Sequence, residues 1–251
     1  MADVEALGKF LRPAQRILVF TGAGISTGSG IPDFRGPNGL WKKMQPVYFD
    51  EFLASEEKRV EHWEYKLAGY DAFASAKPNA THEAIAELER MGRLQAVVTQ
   101  NIDGLHQDGG SSPDKIIEVH GTNRQIECLS CNERSDPAPA MAYFREHRRT
   151  PTCHCGGLMK AATISFGQSL EPGILERAAR EAEEADLVVA LGSTLSVHPA
   201  ASIPLVAARN GTPYVIINRG ATDQDQLADL KLDGDVTEIL PPAVAALGAT
   251  T

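Results

Sequence analysis

The chain has few cysteines, few aromatic residues and no long apolar run. Cysteine occurs four times in 251 residues and aromatic residues make up 6%, which excludes a small scaffold dense in disulfides. No apolar run reaches the roughly 18 residues that a membrane-spanning helix needs. The first five residues also lack the basic start of a secretory signal. We therefore expect a cytoplasmic protein without a membrane partner.

Positive charge is also scarce. The chain carries 24 Lys and Arg residues against 33 Asp and Glu residues, a formal net charge of -9. This balance argues against a nucleic-acid footprint spread over the surface, and we expect no direct nucleic-acid partner. The apolar content of 43% is ordinary for a globular protein, and the length suits one large domain or a domain with an insert. The oligomeric state stays open.

Short apolar runs alternate with helical patterns along most of the chain. At least five runs have the length and composition of buried strands: 17–20, 94–99, 116–119, 187–191 and 214–218. Strands that alternate with helices predict an α/β fold with a mostly parallel, doubly wound sheet. We also expect residues 162–167 to resume the strands after an insert, and a terminal helix to be interrupted at Pro241 and Pro242.

Polar side chains follow two of the predicted strands. Gln100, Asn101 and Asp103 come directly after the run that ends at Thr99, and His120 follows the next strand. The carboxyl ends of parallel strands form the crevice where open α/β sheets bind ligands. The pattern therefore predicts a ligand site at these strand ends, although a strand-to-helix turn with polar capping residues is the simpler alternative.

A glycine-rich turn follows the first predicted strand. Residues 21–30 place Gly22, Gly24, Gly28 and Gly30 between an apolar run and a helix start. Such a turn lets backbone N–H groups approach a phosphate, so a nucleotide is the natural ligand. The spacing matches neither GxGxxG nor GxxxxGK[ST]. A turn with a purely structural role is therefore the alternative.

The four cysteines interrupt the α/β rhythm. They occur as two pairs, Cys128 with Cys131 and Cys153 with Cys155, within residues 122–162. Two pairs at this separation are typical of a zinc ribbon, in which four thiolates hold a structural Zn²⁺. The second pair is CxC where CxxC is usual, so His154 is an alternative ligand. A redox dithiol and free cysteines are the other interpretations.

Taken together, these segments resemble the sirtuin family of NAD-dependent protein deacylases, most closely its bacterial type. The matching segments follow one another in order along the chain: residues 22–26, 30–35, 99–106, 119–121, the two cysteine pairs, 166–167, 192–199 and 216–218.

The resemblance implies a Rossmann-like domain that carries a smaller domain, with both substrates entering the cleft between them. We assign residues 1–35, 76–121 and 163–251 to the Rossmann-like NAD-binding domain. A cofactor loop and helical module would occupy residues 36–75, and the zinc-binding insert residues 122–162. The implied zinc ligands are Cys128, Cys131, Cys153 and Cys155.

The resemblance also implies the chemistry. NAD is consumed as a co-substrate: an acetyl-lysine oxygen attacks its ribose, nicotinamide leaves, and the acetyl group ends as O-acetyl-ADP-ribose. The implied catalytic residues are His120, as general base, with Asn101 and Asp103. The implied NAD-binding residues are Gly22, Ala23, Gly24, Ile25, Asp33, Phe34, Arg35, Gln100, Asn101, Ile102, Asp103, Gly192, Ser193, Thr194, Asn218, Asp235 and Val236.

The partner implied by the resemblance is an acetylated protein or peptide, which adds as an extended strand. Its implied binding residues are Phe166, Gly167, Gln168, Ser196, Val197 and His198. Relatives that remove succinyl or malonyl groups carry Tyr and Arg three residues apart, whereas Tyr65 is followed at that distance by Ala68. We therefore expect an uncharged acyl group. Protein mono-ADP-ribosyl transfer and a non-enzymatic NAD or ADP-ribose-binding module are the alternative functions.

Overall fold

The computed structural model describes residues 1–33 and 45–248. The strands in these ranges are β1 Ile17–Thr21, β2 Leu94–Thr99, β3 Ile116–Glu118, β4 Gly121–Cys128, β5 Arg134–Ser135, β6 Met159–Thr163, β7 Leu187–Leu191, β8 Tyr214–Ile217 and β9 Leu230–Leu232. The α-helices are α1 Ala2–Leu11, α2 Phe49–Ala54, α3 Glu56–Ser75, α4 Ala80–Arg90, α5 Leu105–Asp108, α6 Pro137–His147, α7 Pro172–Glu184, α8 Ile203–Arg209 and α9 Val236–Gly248. None of the helices is long and apolar enough to cross a membrane.

Six strands form the main sheet, in the order β3-β2-β1-β7-β8-β9. Every neighbouring pair in it is parallel. Taken in chain order within this sheet, the strands follow the Rossmann arrangement 3-2-1-4-5-6. The predicted α/β fold with a doubly wound parallel sheet is therefore confirmed.

Helices cover both faces of the main sheet, which is why its strands are continuous apolar runs. On one face, side chains such as Val19, Val97 and Val189 pack with residues of α1, α4 and α9. On the other face, Phe20, Val98 and neighbouring strand residues pack with α7 and α8. This double burial fixes the positions of the strand ends, from which the polar residues of the cleft extend.

A second, smaller unit is built from segments that are distant in sequence. Strands β5, β4 and β6 form its antiparallel sheet. Phe52 and Trp63 from α2 and α3 share one apolar cluster with Phe144 of α6 and Ile126 of β4. The helical segment and the cysteine-containing segment therefore form one packed body.

Two sequence expectations about local structure were wrong. Residues 162–167 do not resume the main sheet, because β6 ends at Thr163 and pairs with β4 in the small sheet. Within the insert, for which no helix was predicted, residues 137–147 form α6, because Asp136 accepts a bond from Ala138 N and Pro137 occupies the first helical turn. The terminal helix runs uninterrupted through Pro241 and Pro242, because its buried face packs on the core.

Candidate active site

A cleft of about 1380 Å³ is lined by residues of both the main sheet and the small unit. Gly22 follows β1, Gln100 follows β2 and Gly192 follows β7, and all three line it. The chain order of the main-sheet strands reverses between β1 and β7, which makes this the topological switch point where such sheets bind ligands.

The glycine turn after β1 packs directly against Gly192. A Cβ at Gly22 would lie 2.7 Å from the Gly192 carbonyl oxygen, and a Cβ at Gly24 would lie 2.7 Å from Gly192 Cα. Gly192 itself has φ +58, and a Cβ there would lie 2.6 Å from Ile25 N. The turn therefore requires glycine at all three positions, and it presents backbone to the cleft. Such a surface suits the phosphates of a nucleotide.

A buried hydrogen-bond network connects this turn to the residues after β2. The Asn101 amide Nδ2 donates to the Gly22 carbonyl oxygen at 3.1 Å and lies 3.2 Å from Ser26 Oγ. Ser26 donates to Asp103 Oδ2 at 2.7 Å, and the Leu105 N–H donates to Asp103 Oδ1 at 2.9 Å. The amide and the carboxylate thus have fixed orientations. Ser26 was missed as a site residue, although a hydroxyl directly after a glycine turn was an available signal.

Gln100 connects two walls of the same cleft. Its side-chain Nε2 donates to Ser193 Oγ at 2.8 Å, which joins the end of β2 to the segment after β7. The backbone carbonyl oxygen of Gln100 lies 3.1 Å from His120 Nδ1. Because a carbonyl oxygen only accepts hydrogen bonds, His120 Nδ1 carries the proton and Nε2 keeps a lone pair.

The electrostatic setting of His120 favours the neutral imidazole. Burial lowers the pKa of His120 below its ordinary value, and the bond to the Gln100 carbonyl opposes this effect only in part. The ring lines the cleft. His120 is therefore an unprotonated base at neutral pH, with the lone pair of Nε2 available to accept a proton.

Two other histidines lie below the cleft. His106 is buried, its Nε2 lies 3.0 Å from Thr21 Oγ1, and its ring centroid is 5.1 Å from that of His82. Burial lowers the pKa of His82 to about 4 and that of His106 to about 3. Both are neutral at pH 7, and neither lines the cleft.

Most of the other predicted NAD-binding residues line the cleft. The set comprises Ala23, Asp33, Ile102, Ser193, Thr194, Asn218, Asp235 and Val236. Ile25 is fully buried beneath the turn, and Asp103 lies below the cleft in the network with Ser26. Phe34 and Arg35 lie outside the described residues. Arg219, which was not predicted, also lines the cleft and pairs with Asp235 at 2.6 Å.

The predicted peptide-binding residues meet at the opposite wall. Those that line the cleft are Phe166, Gly167, Gln168, Val197 and His198. Ser196 lies beside them, with its Oγ 2.8 Å from Thr194 Oγ1. The Tyr48 ring lies 5.8 Å from that of Phe166, and Phe49 N donates to the Phe166 carbonyl oxygen at 2.8 Å. The main chain of this wall is thereby tied to α2.

The four cysteine sulfurs form one cluster. All four lie within 4.8 Å of one another. Cys128 Sγ is 3.5 Å from Cys155 Sγ, and Cys131 Sγ is 3.8 Å from Cys153 Sγ. Tetrahedral Zn²⁺ with bonds of about 2.3 Å requires sulfurs about 3.8 Å apart. Backbone N–H groups of Cys131 and Ser130 lower the pKa of Cys128 to about 6, which favours the thiolate. The cluster fits a structural zinc ion.

Comparisons with known proteins identify relatives across nearly the whole chain. A family model of the Sir2 family matches residues 22–199. The chain is 43% identical over 244 residues to an NAD-dependent protein deacetylase of Rhodopseudomonas palustris, covering 97% of this chain and 96% of that protein. It is 40% identical over 247 residues to an NAD-dependent protein deacetylase of Sulfolobus acidocaldarius, covering 97% and 94%.

Solved structures agree with these relatives. One, described as "Structural Basis for the Mechanism and Regulation of Sir2 Enzymes", superposes with a TM-score of 0.88 at 36% identity, covering 100% of this chain and 99% of that one. Another, described as "Sir2-p53 peptide-NAD+", has a TM-score of 0.88 at 34% identity and covers 99% of both chains.

Proposed function

The chain belongs to the Sir2 family, and from that premise we propose that it is an NAD-dependent protein lysine deacetylase. It would transfer the acetyl group of acetyl-lysine to ADP-ribose and release nicotinamide. The observation that carries this proposal is the position of His120, a neutral base in the same cleft as the glycine turn. A binding module would need the turn but not the base.

The main-sheet wall supplies the groups that would hold the nucleotide. The glycine turn and Gly192 leave space for phosphates against backbone. Asn218, Asp235 and Val236 line the far end of the cleft and are our proposed contacts to the adenosine half. Phe34 and Arg35 complete the proposed set from sequence alone. When bound, NAD supplies an electrophilic ribose carbon and a leaving group.

The residues of the chain have separate roles in this proposal. Gln100 and Asn101 orient the nicotinamide end, because their amides are held by Ser193, Ser26 and Gly22 O. Asp103 is a positioning carboxylate, since Ser26 and the Leu105 N–H occupy its two oxygens. His120 accepts a proton at Nε2 and later returns it, while Nδ1 stays bonded to the Gln100 carbonyl oxygen.

The acetylated peptide would lie as an extended strand between 166–168 and 196–198. Both segments line the cleft, and the peptide backbone would bond to their main chains. Affinity would then come mostly from backbone bonds, so selectivity for flanking sequence is loose. We propose a cytoplasmic location, since four thiolates that bind zinc need a reducing compartment.

Incubation of an acetyl-lysine peptide with NAD, followed by mass spectrometry, tests the proposal. We expect free lysine peptide, nicotinamide and O-acetyl-ADP-ribose in equal amounts. Transfer of ADP-ribose to protein without deacetylation would replace the proposal with mono-ADP-ribosyl transfer. Binding of NAD without any turnover would instead favour a non-enzymatic module.

A further inference from the structure

The side chain of Arg124 extends from the small unit to the segment that follows β2. Arg124 lies on β4, and its Nε donates to the Asp103 carbonyl oxygen at 3.0 Å. Its two terminal nitrogens bond to the Asp108 carboxylate at the end of α5, with Nη1 donating to Oδ1 at 2.9 Å and Nη2 donating to Oδ2. One guanidinium group therefore bonds to both ends of the segment 103–108.

A second hydrogen bond from β4 holds the neighbouring residue of the same segment. The Asn123 N–H donates to the Ile102 carbonyl oxygen at 2.8 Å. Two consecutive carbonyl groups, those of Ile102 and Asp103, thus accept from two consecutive residues of β4. The side chains of Asn101 and Asp103 are bonded on the other side to the glycine turn and Ser26. The small unit therefore fixes the backbone of a segment whose side chains face the main-sheet wall.

Gly104 leaves the space in which the Arg124 side chain lies. A Cβ at Gly104 would lie 2.6 Å from Arg124 Cδ. The stem of the arginine therefore packs directly on the backbone that follows Asp103. Any larger residue at position 104 would displace the guanidinium from its two acceptors.

The charge of Arg124 also balances a buried anion. Asp103 is buried, and the two groups that bond to its carboxylate oxygens are neutral donors. A hydrogen bond from Arg124 to Asp108 raises the pKa of Arg124, and the negative charges of Asp108, Asp103 and Glu118 raise it further. A buried carboxylate is costly without a positive charge nearby. Arg124 supplies that charge and leaves both oxygens of Asp103 to their neutral donors.

We propose that Arg124 is a positioning residue, which together with Asp108 holds residues 101–103 in the geometry that the nicotinamide end of NAD requires. Arg124 does not line the cleft, so it acts through these residues and not by contact with a ligand. This inference rests on the proposed function, which assigns residues 100–103 to the nicotinamide end. It also gives the small unit a part in NAD binding, because β4 carries Arg124 and ends at Cys128.

Calorimetry with NAD and with ADP-ribose tests this role. ADP-ribose lacks the nicotinamide group, so the affinity for NAD should depend more strongly on the geometry of residues 101–103. We expect Arg124→Gln to bind NAD about tenfold more weakly and ADP-ribose as tightly as the native protein does. Arg134→Gln is the matched control, because Arg134 lies in the same small sheet and pairs with Glu127 at 2.8 Å. Its side chain is 47% exposed against 43% for Arg124, and its variant should keep both native affinities.

Two further variants separate positioning from a general loss of stability. Arg124→Lys keeps the positive charge but lacks the planar fork that bonds to Asp108 and to the Asp103 carbonyl oxygen together. We expect it to keep the native Tm and still to bind NAD more weakly. Asp108→Asn combined with Arg124→Gln should lose no more affinity for NAD than Arg124→Gln alone, because Asp108 acts through Arg124.

The outcomes distinguish this inference from the function on which it rests. Native NAD affinity in Arg124→Gln and Arg124→Lys would overturn the positioning role, and so would equal losses for NAD and ADP-ribose. Additive losses in the double variant would remove Asp108 from the role. A loss confined to NAD would support positioning even if the native protein deacetylated no peptide, which is the separate test of the proposed function.

Discussion

The two walls of the cleft are stabilised in different ways. The main-sheet wall rises from six parallel strands with an apolar cluster on each face. The small-unit wall has a three-stranded sheet, one apolar cluster and four clustered cysteines. The first wall has apolar burial on both faces of its sheet. The second has less core for its length, so a metal ion has more to contribute there.

The walls also differ in what they present to a ligand. The main-sheet wall offers backbone, amides and hydroxyls at the glycine turn, Asn101 and Ser193. The small-unit wall offers the ammonium group of Lys66 and the neutral ring of His62. The two walls therefore expose different chemical groups to the cleft: neutral hydrogen-bonding groups on the main sheet and an ammonium group on the smaller body.

Removal of the metal should have the largest effect, and we expect it to unfold the small-unit wall while the main-sheet wall stays folded. Structural zinc contributes about 10–16 kcal/mol of apparent binding energy in small zinc domains. We expect Cys131→Ser to lose zinc and to expose the amides of β4 and β6 to hydrogen exchange, with activity lost. Amides of β1 and β7 should stay protected. Full protection of β4 and β6 in zinc-free protein would show that the apolar cluster suffices.

Substitution of the base should abolish turnover without disturbing either wall. General-base catalysis contributes about 10²–10⁴-fold in rate, so we expect His120→Ala to lose kcat by that factor. Its Tm and its affinity for ADP-ribose should match those of the native protein. A kcat within threefold of native would remove His120 from the role of base.

Gly192→Ala tests whether the nucleotide site depends on the close packing of Gly192 against the glycine turn, and Gly211→Ala serves as the control for the loss of a glycine with positive φ. A Cβ there would lie 2.6 Å from Ile25 N, whereas a Cβ at Gly211 meets nothing within 4 Å, although both have positive φ. We expect Gly211→Ala to cost about 1 kcal/mol of stability with ADP-ribose affinity unchanged. Gly192→Ala should lose at least about tenfold in affinity, measured by calorimetry, because the turn must shift. Equal affinities would contradict the assigned site.

Acid should weaken the main-sheet body through its buried histidines. In the folded protein the pKa of His82 is lowered to about 4, so the unfolded chain, near 6.5, binds the proton more readily. Stability from this group is complete above pH 6.5 and is lost as pH falls toward 4. In that window, each such histidine should lower the free energy of unfolding by about 1.4 kcal/mol for each unit by which the pH falls.

Denaturant unfolding at several pH values measures this slope. The slope for His82→Asn should be smaller than that of the native protein by about the amount of one histidine. His147→Asn is the control, since His147 is exposed on the small unit. Identical slopes for all three proteins would show that His82 is not buried in the neutral form.

The sequence predicted the parts of the fold that depend on local composition. Apolar runs such as 17–20 and 187–191 became buried parallel strands, because strands covered on both faces carry no polar alternation. The order strand, glycine turn and helix start predicted a nucleotide site. Residues 162–167 were misassigned, since an apolar strand looks the same whether its partner lies in the large or the small sheet.

Some residues of the cleft could be predicted from the sequence, whereas others could not, because their roles depend on contacts between distant segments. His120 and Gln100 directly follow apolar runs, and this pattern can be seen in the sequence. Ser26 was missed as a site residue because its importance comes from bonds to Asn101 and Asp103, more than seventy positions away. The hydrogen bonds of Lys66 to Asn123 and Thr163 gave no signal in the sequence, because a lysine on a helix cannot be told from a solvated one until the fold places its partners beside it.

The sequence by itself therefore determined the α/β class, the family and the pairing of the four cysteines, and it predicted His120 as the base. Each of these rests on residue type and spacing, which can be seen in the sequence alone. Only the tertiary structure decided that Gly22 and Gly24 pack on Gly192, that His120 holds its proton on Nδ1, and that Lys66 and Lys160 both contact Thr163. These outcomes depend on burial and on contacts between distant segments, and no local pattern records them.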